Sequence, residues 1–303
     1  MDKENLVSVV IPTYGEPIYL GRCIDSVLQQ TYNNIEIIIV DDNGIGTPNQ
    51  IATSTVIDQY KGNNIKYVCH EKNKNGSAAR NTGVKNSEGR YIAFLDDDDA
   101  FLPAKIERQV KLIESLSDEY AFVYCSHDVY KDGQLVRHVI AEKSGNLFFE
   151  KISQQIEIQT SGVLIRKEAF EEVKGFDESF RRHQDWEFIE RVLFKYKAQA
   201  DNFVGYIRYL YFRSVSINPG QAREWRNHYL SKMKPYIDTL SHNQARMVYS
   251  INSIDIVLLY LKAKDYGGFI KEVFTSKIGL RDLVQLIMRI IKAMLRGGPV
   301  RRE

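Results

Sequence analysis

A chain of 303 residues with 44% hydrophobic and 26% charged side chains can bury a sizeable core, and its balance excludes a disordered or fibrous protein. The three cysteines, Cys23, Cys69 and Cys125, are odd in number, widely spaced and without a partner at zinc-ligand distance, which points to a reduced, cytosolic setting. The start, MDKENLVSVVIP, carries no basic leader before a long apolar stretch, and no run of about 18 apolar residues occurs, so the expectation is neither a secreted nor a membrane-spanning protein. The formal charge of +2 is uneven, because residues 262–303 hold ten Lys or Arg against four Asp or Glu.

Val7-Ser8-Val9-Val10-Ile11 is a β-branched run stopped by Pro12, and 19–30 has helical spacing with Leu20, Cys23, Ile24, Val27 and Leu28 on one face. A second strand is predicted over 35–40, ending in Asp41-Asp42. A helix over 51–60, a strand over 65–69, a helix over 76–86 and a fourth strand over 91–95 follow. Strands alternating with helices imply an α/β fold with a largely parallel sheet. Ligands of such a sheet bind beyond the carboxyl ends of its strands, where this chain carries Pro12-Thr13-Tyr14, Asp41-Asp42 and Asp96-Asp97-Asp98-Asp99. Neither G-x-G-x-x-G after the first strand nor G-x-x-x-x-G-K-[ST] is present, which argues against a dinucleotide fold and a P-loop.

Further on, a helix to about 116, a strand over 121–126 and a hairpin turn at Lys131-Asp132-Gly133 are predicted. A strand over 162–165 and a helix over 167–173 precede the loop Gly175-Phe176-Asp177-Glu178. Trp186, Ile189, Leu193 and Tyr196 then recur at helical spacing, which puts Asp185 in the first turn of a helix.

Four adjacent carboxylates at a strand end repel one another, and a divalent cation is the natural compensation; hard oxygen ligands suit Mg²⁺ or Mn²⁺. The run alone equally admits a solvated acidic turn. A calcium loop using Asp96, Asp98 and Glu107 fails, because its sixth position is Phe101 where the turn requires glycine.

The segments SVVIPTYGEPIYLGRCIDSVLQQTYNNIEIIIVDDNG (8–44), NGSAARNTGVKNSEGRYIAFLDDDD (75–99) and GFDE followed by RRHQDWEF (175–188) together resemble the family 2 glycosyltransferases of GT-A fold, over roughly residues 6–215. The resemblance implies a mostly parallel central sheet flanked by helices and a helical C-terminal extension. It divides the chain into a catalytic domain at 1–215, with a nucleotide half at 1–103 and an acceptor half at 104–215, and a helical region at 216–303. By the same resemblance Pro12, Tyr14 and Asp42 hold the nucleotide base and ribose, Arg80 reaches the nucleotide or its neighbouring acids, Asp96 and Asp97 lie on the nucleotide side, with Asp96 near the ribose or the metal, and Asp98 binds the metal; within the run of four, Asp97 or Asp99 could share either role. Asp185 is the implied base, with Glu187 as fallback. An aromatic ring can stack on uracil and a carboxylate can accept from its N3–H, yet Tyr14 packing on Pro12, Asp42 as a turn acid, Arg80 as a neutraliser and Asp185 as a helix cap stay open. His183 admits an acceptor contact, a metal-ligand role or an ordinary loop position, Trp186 an acceptor contact or a core role, and Arg208 and Arg213 are weaker candidates for the diphosphate.

The implied activity is inverting transfer of one sugar, from a UDP-sugar to a hydroxyl of a glycan or lipid-linked saccharide. The Q-x-x-R-W motif and membrane spans of polymerising members are absent from this sequence, so processive synthesis is not expected. A sugar-nucleotide pyrophosphorylase is disfavoured by the missing Gly- and Arg-rich first loop; a non-catalytic sugar-nucleotide-binding or assembly subunit is the remaining alternative. Leu280, Leu283, Val284, Ile287, Ile290, Ile291, Met294 and Leu295 recur at helical spacing, with Arg281, Arg289, Lys292 and Arg296 on other faces. Such a basic amphipathic helix suits the inner face of the cell membrane, the catalytic domain or a second subunit of a homo-oligomer. No nucleic-acid partner is expected, since no base-stacking motif accompanies the basic tail.

Overall fold

β1 (Val7–Thr13) is apolar on both faces apart from the buried Ser8 and Thr13, because both faces are covered: Val7, Val9, Val10 and Ile11 are fully buried. The protein is represented by a computed structural model that describes residues 5–211 and 218–276. β1 pairs in parallel with β2 (Ile35–Asp41) on one side and with β4 (Tyr91–Phe94) on the other, and β2 pairs in parallel with β3 (Ile65–Cys69). Helices α1 (Leu20–Leu28), α2 (Pro48–Asp58) and α3 (Gly76–Lys85) make the crossovers. α1 turns Leu20, Cys23, Ile24 and Val27 into the core, and each large apolar chain so buried contributes roughly 1.5–3 kcal/mol. α2 begins three residues before its apolar spacing does, because Thr47 accepts from the Gln50 amide and Pro48 occupies the first turn, where its missing N–H leaves no bond unmade.

The chain lays β2 and β3 to one side of β1 and returns to β4 on the other, so strand order reverses between β1 and β4. A crevice opens beyond the carboxyl ends of strands at such a reversal. Thr13, at the end of β1, pairs in register with Asp41 and donates from Oγ1 to Asp97 Oδ2 at 2.6 Å across that reversal.

Beyond β4 come β5 (Ala100–Phe101), α4 (Lys105–Glu114), β6 (Tyr120–Lys131), β7 (Gln134–Val139), α5 (Phe148–Ile152), β8 (Val163–Arg166), α6 (Lys167–Glu172), α7 (Gln184–Lys195) and β9 (Lys197–Leu210). The sheet order is β3-β2-β1-β4-β8-β6-β9-β5, with β7 added to β6, making nine strands among the described residues. The parallel pairing expected from the sequence holds for β3-β2-β1-β4. In the remainder β8 runs antiparallel to β4 and β6, β5 antiparallel to β9, and β6 parallel to β9. β9 has no counterpart among the sequence expectations: Asp201, Asn202 and Gly205 break its apolar pattern, and the register slips twice between Cys125 and His127 of the partner strand. The predicted hairpin is present at β6–β7, where Asp132 and Gly133 adopt φ of 51° and 76°.

The chain divides into one compact unit of Met1–Lys151 with Ile156–Arg213, and a second of Ile152–Gln155 with Ser214–Glu303. The second carries α8 (Pro219–Ile237), α9 (His242–Lys262) and α10 (Tyr266–Thr275). α9 is opened by a capping box between Ser241 and Gln244. The basic amphipathic segment 280–296 and Arg213 lie outside the described residues. Among the described residues no helix is long and apolar enough to cross a membrane.

Candidate active site

A cleft of about 790 Å³ lies at the strand reversal, lined by Pro12, Tyr14, Asp42, Arg80, Asp96, Asp97 and Asp98. The structure thus brings together the nucleotide and metal candidates of the first unit; Asp185 is not among the lining residues, and Gln184, the residue before it, closes one side. Tyr14 follows the end of β1 and is 62% exposed, offering a flat aromatic face to the cleft it lines.

Asp42 is placed differently from a carboxylate waiting for a base. It is buried, and both oxygens already accept two bonds each. Oδ1 takes His70 Nδ1 at 2.7 Å and the Lys74 amide at 2.8 Å; Oδ2 takes Asn73 Nδ2 and the Asn75 amide, both at 2.9 Å. These four donors fill the roughly four acceptor sites of a carboxylate. Asp42 therefore shapes loop 73–75, which walls the cleft, and His70 in turn reaches Thr82 Oγ1 of α3 at 2.9 Å.

The four acids of the run diverge. Arg80 Nη2 donates to Asp96 Oδ1 at 2.5 Å, Asp97 is held by Thr13, and the Asp98 carbonyl accepts from Arg22 Nη2 at 2.5 Å. Asp99 turns inward, where its carboxylate accepts from Ser161 Oγ and from the Tyr209 amide of β9 at 3.1 and 3.2 Å. Burial, with the charges of Asp96 and Asp98 added, pushes the Asp99 carboxyl well above the usual range. A share for Asp99 in the cleft chemistry does not fit this orientation. Burial, reinforced by the acid run, likewise pushes the Cys23 thiol up.

Arg80 also donates to the Gly76 carbonyl and lies 5.6 Å from the Phe176 ring centroid, so its head is aimed at the acid run and away from solvent. A Cβ on Gly76 would stand 3.0 Å from both Arg80 Nη1 and Gln184 Nε2, which is the tight approach the glycine permits. Ser77 Oγ donates to Gln184 Oε1 at 2.9 Å, tying the head of α3 to the head of α7.

Loop 175–183 is fixed to α3 by Asn81, which donates to the Phe176 carbonyl and accepts from its amide, each at 2.9 Å. Gly175 sits at φ 62°, and a Cβ there would come within 2.6 Å of Asn81 Oδ1. Phe176 stacks on Phe188 of α7 at 4.1 Å and meets Phe94, the last residue of β4, edge-on at 5.4 Å. One aromatic cluster therefore sets both the strand that delivers the acids and the helix that delivers Asp185.

Asp185 lies in the first turn of α7, half-buried, and makes no hydrogen bond or ion pair with the described residues. Glu187, the fallback base, is buried and pinned by Arg191, whose Nη2 lies 2.9 Å from its Oε2. A base role for Glu187 does not fit that geometry. Trp186 packs 4.6 Å from His183 and 5.2 Å from Lys151 Nζ.

Residues 8–174 match the sequence model of Glycosyl transferase family 2. The chain belongs to that family. Among curated relatives of this family 2 glycosyltransferase, the amylovoran biosynthesis glycosyltransferase AmsB of Erwinia amylovora is 28% identical over 97% of this chain and 99% of its own length. The UDP-Glc:alpha-D-GlcNAc-diphosphoundecaprenol beta-1,3-glucosyltransferase WfgD of Escherichia coli is 32% identical over 45% of this chain and 51% of its own. Among solved structures, S. aureus TarS 1-349 in complex with UDP-GlcNAc superposes with a TM-score of 0.60 at 14% identity, covering 98% of this chain and 94% of that one. The mannosyltransferase PcManGT of Pyrobaculum calidifontis, in complex with GDP-Man and Mn²⁺, gives 0.59 at 15% identity, covering 95% and 80%. At such identities the two structures establish the shared GT-A fold.

Several residues of this glycosyltransferase's site carry weak sequence signals. Arg22 follows an apolar helix stripe as an ordinary surface cation would, yet its guanidinium lies 3.8 Å from the Tyr209 ring centroid and 5.0 Å from that of Tyr19. Thr13 and Ser161 are common residues whose roles depend on strands distant in sequence. Gln184 adjoins Asp185 and is the one that the motif itself could have revealed.

Proposed function

We propose that this family 2 glycosyltransferase moves a single sugar from a UDP-sugar to a hydroxyl of a glycan or lipid-linked saccharide, with inversion at the anomeric carbon, in cell-surface polysaccharide synthesis. The observation that carries the reading is one cleft lined by three successive carboxylates, with Asp185, which has no partner among the described residues, at the head of the helix whose Gln184 lines it. The names of AmsB and WfgD, a polysaccharide-synthesis enzyme and a UDP-Glc-dependent transferase to a diphosphoundecaprenol-linked sugar, support the substrate class.

In this reading Tyr14 stacks on the base and the loop built on Asp42 bounds it. Asp185 takes the proton of the acceptor hydroxyl. The hydroxyl oxygen forms its bond to the anomeric carbon as the bond to the nucleoside diphosphate breaks, and the electron pair leaves with the diphosphate. Arg80 stands near enough to the acids to balance their charge while the phosphates bind.

The donor set fits a divalent cation shared with substrate. Asp96, Asp97 and Asp98 offer hard oxygens to the cleft, and among the described residues no three acidic, His or Cys side chains form a cage of their own. Mg²⁺ or Mn²⁺ held by one or two carboxylates plus substrate phosphates matches that arrangement, with Asp98 as ligand. When bound, the ion would offset the charge that grows on the departing diphosphate.

Calorimetric titration of the full chain with UDP, with and without Mn²⁺ and against GDP and dTDP, tests the donor. Metal-dependent binding that prefers UDP is expected; preference for another nucleotide moves the donor class, and no binding of any would favour the assembly-subunit alternative.

A further inference from the structure

α10 is amphipathic with the wrong side out. Its inner face is satisfied: Phe269 packs against Ala222, Ile256 and Tyr260. Glu272 is buried in an ion-pair cluster with Arg226 at 2.8 Å and Arg223 at 3.1 Å. Its outer face carries Tyr266, Ile270 and Phe274 at 64%, 53% and 84% exposure. These three residues are spaced four apart and share one side of the helix.

The charges around that stripe have one dominant sign. Lys262, Lys264 and Lys271 are exposed, whereas Glu272, one of the two acids of residues 262–276, is taken out of the surface by the two arginines. The sequence continues through 277–303 with seven Lys or Arg against two Asp or Glu, and with the apolar periodicity of Leu280 to Leu295. Apolar side chains rimmed by cations are the chemistry of an interfacial anchor, in which rings and alkyl groups enter the headgroup boundary and cations meet anionic headgroups.

We propose that the C-terminal unit of this protein docks on an anionic lipid surface through the Tyr266–Ile270–Phe274 face of α10 and the cationic rim of Lys262, Lys264 and Lys271. A second copy of the chain is a poorer occupant. The stripe extends over nine residues, a rise of about 12 Å from first to last, which is small for a stable dimer, and pairing it with itself would bring like-charged rims together. The inference stands apart from the donor-site reading, since it uses no residue of the cleft.

Vesicle flotation of the full-length protein tests it, using neutral phosphatidylcholine vesicles and the same lipid mixed with anionic phosphatidylglycerol, at low and high salt. Capture by the anionic vesicles only, reduced by salt, is expected. An Ile270→Ser/Phe274→Ser double variant should bind at least about tenfold more weakly, as should a Lys262→Glu/Lys264→Glu/Lys271→Glu variant, which keeps the apolar stripe. Unchanged helical circular dichroism and UDP titration would show that both variants are folded. No capture, equal capture by neutral vesicles, or undiminished binding of the serine variant would overturn the proposal. So would a concentration-dependent dimer in light scattering that the serine variant abolishes, because the stripe would then be a protein contact.

Discussion

Asp42 and His70 form a buried pair, Oδ1 to Nδ1 at 2.7 Å, at the back of the cleft wall, and the same carboxylate holds Asn73, Lys74 and Asn75. An acid in this position of the motif is expected to read the base. With its acceptor sites filled, Asp42 is better suited to holding the wall than to reading uracil.

Base selectivity separates the two roles. Asp42→Asn keeps the volume but turns acceptors into donors facing the Lys74 or Asn75 amide, so loop 73–75 should loosen. Loss of charge-assisted bonds worth about 1.5–3 kcal/mol predicts a roughly tenfold or greater fall in affinity for UDP and CDP alike, with their ratio preserved. Titration of both nucleotides into wild type and variant decides it: a collapse of the UDP:CDP ratio means that Asp42 reads the base itself. His70→Asn should show the same uniform weakening in milder form.

Arg22 is the corresponding support for the acid run. It holds the Asp98 carbonyl at 2.5 Å and lies against Tyr209, whose amide bonds Asp99, while Tyr19 and Tyr211 stack at 3.8 Å beside it. Arg22→Ala should free the Asp98 backbone and raise the Mn²⁺ concentration needed for half-maximal UDP binding by about tenfold, leaving metal-free binding nearly unchanged. Arg22→Lys keeps the charge but loses the planar stack, so an intermediate value is expected. An equal loss of binding with and without Mn²⁺ would point to general unfolding of the region instead.

Asp185→Asn removes the proposed base and little else, since its carboxylate has no partner among the described residues to lose. Turnover should fall by about 10²–10⁴-fold, while UDP affinity stays within about twofold of wild type. Single-turnover assays with radiolabelled UDP-sugar check both numbers. Normal turnover in the variant would assign the proton to another group.

What could be read from the sequence was whatever depends on short spacing. The β1–α1–β2 register, the acid run at the end of β4 and the position of Asp185 follow from local periodicity and from motifs contained within a few residues. The orientation of each acid does not. Asp96 and Asp99 are three residues apart, yet one faces Arg80 and the other Ser161 and β9, because their partners come from segments up to 110 residues away. β9 escaped for a similar reason: it is stabilised by pairing with β6 across slipped register, while its own pattern is interrupted by Asp201, Asn202 and Gly205.

Lys105 supplies a pH test of the core behind the acids. It is fully buried, donates to Gln109 Oε1 at 2.7 Å and lies 4.0 Å from the Phe101 ring centroid. Burial pushes its pKa down from 10.5 to about 8. Below about pH 8 folded and unfolded chains are both protonated, and the folded state bears the full cost of a buried charge. Between about 8 and 10.5 the unfolded chain binds more protons, so this group makes stability rise with pH, by on the order of 3 kcal/mol across the window. Lys105→Met lacks the titration. Denaturant unfolding of both proteins at about pH 7 and about pH 10 should show wild type gaining on the variant as pH rises. The slope is the readout, because Gln109 loses its partner in the variant at every pH and the tyrosines titrate in both. Parallel pH profiles would mean that Lys105 keeps an ordinary pKa in the folded protein, with water reaching its ammonium group.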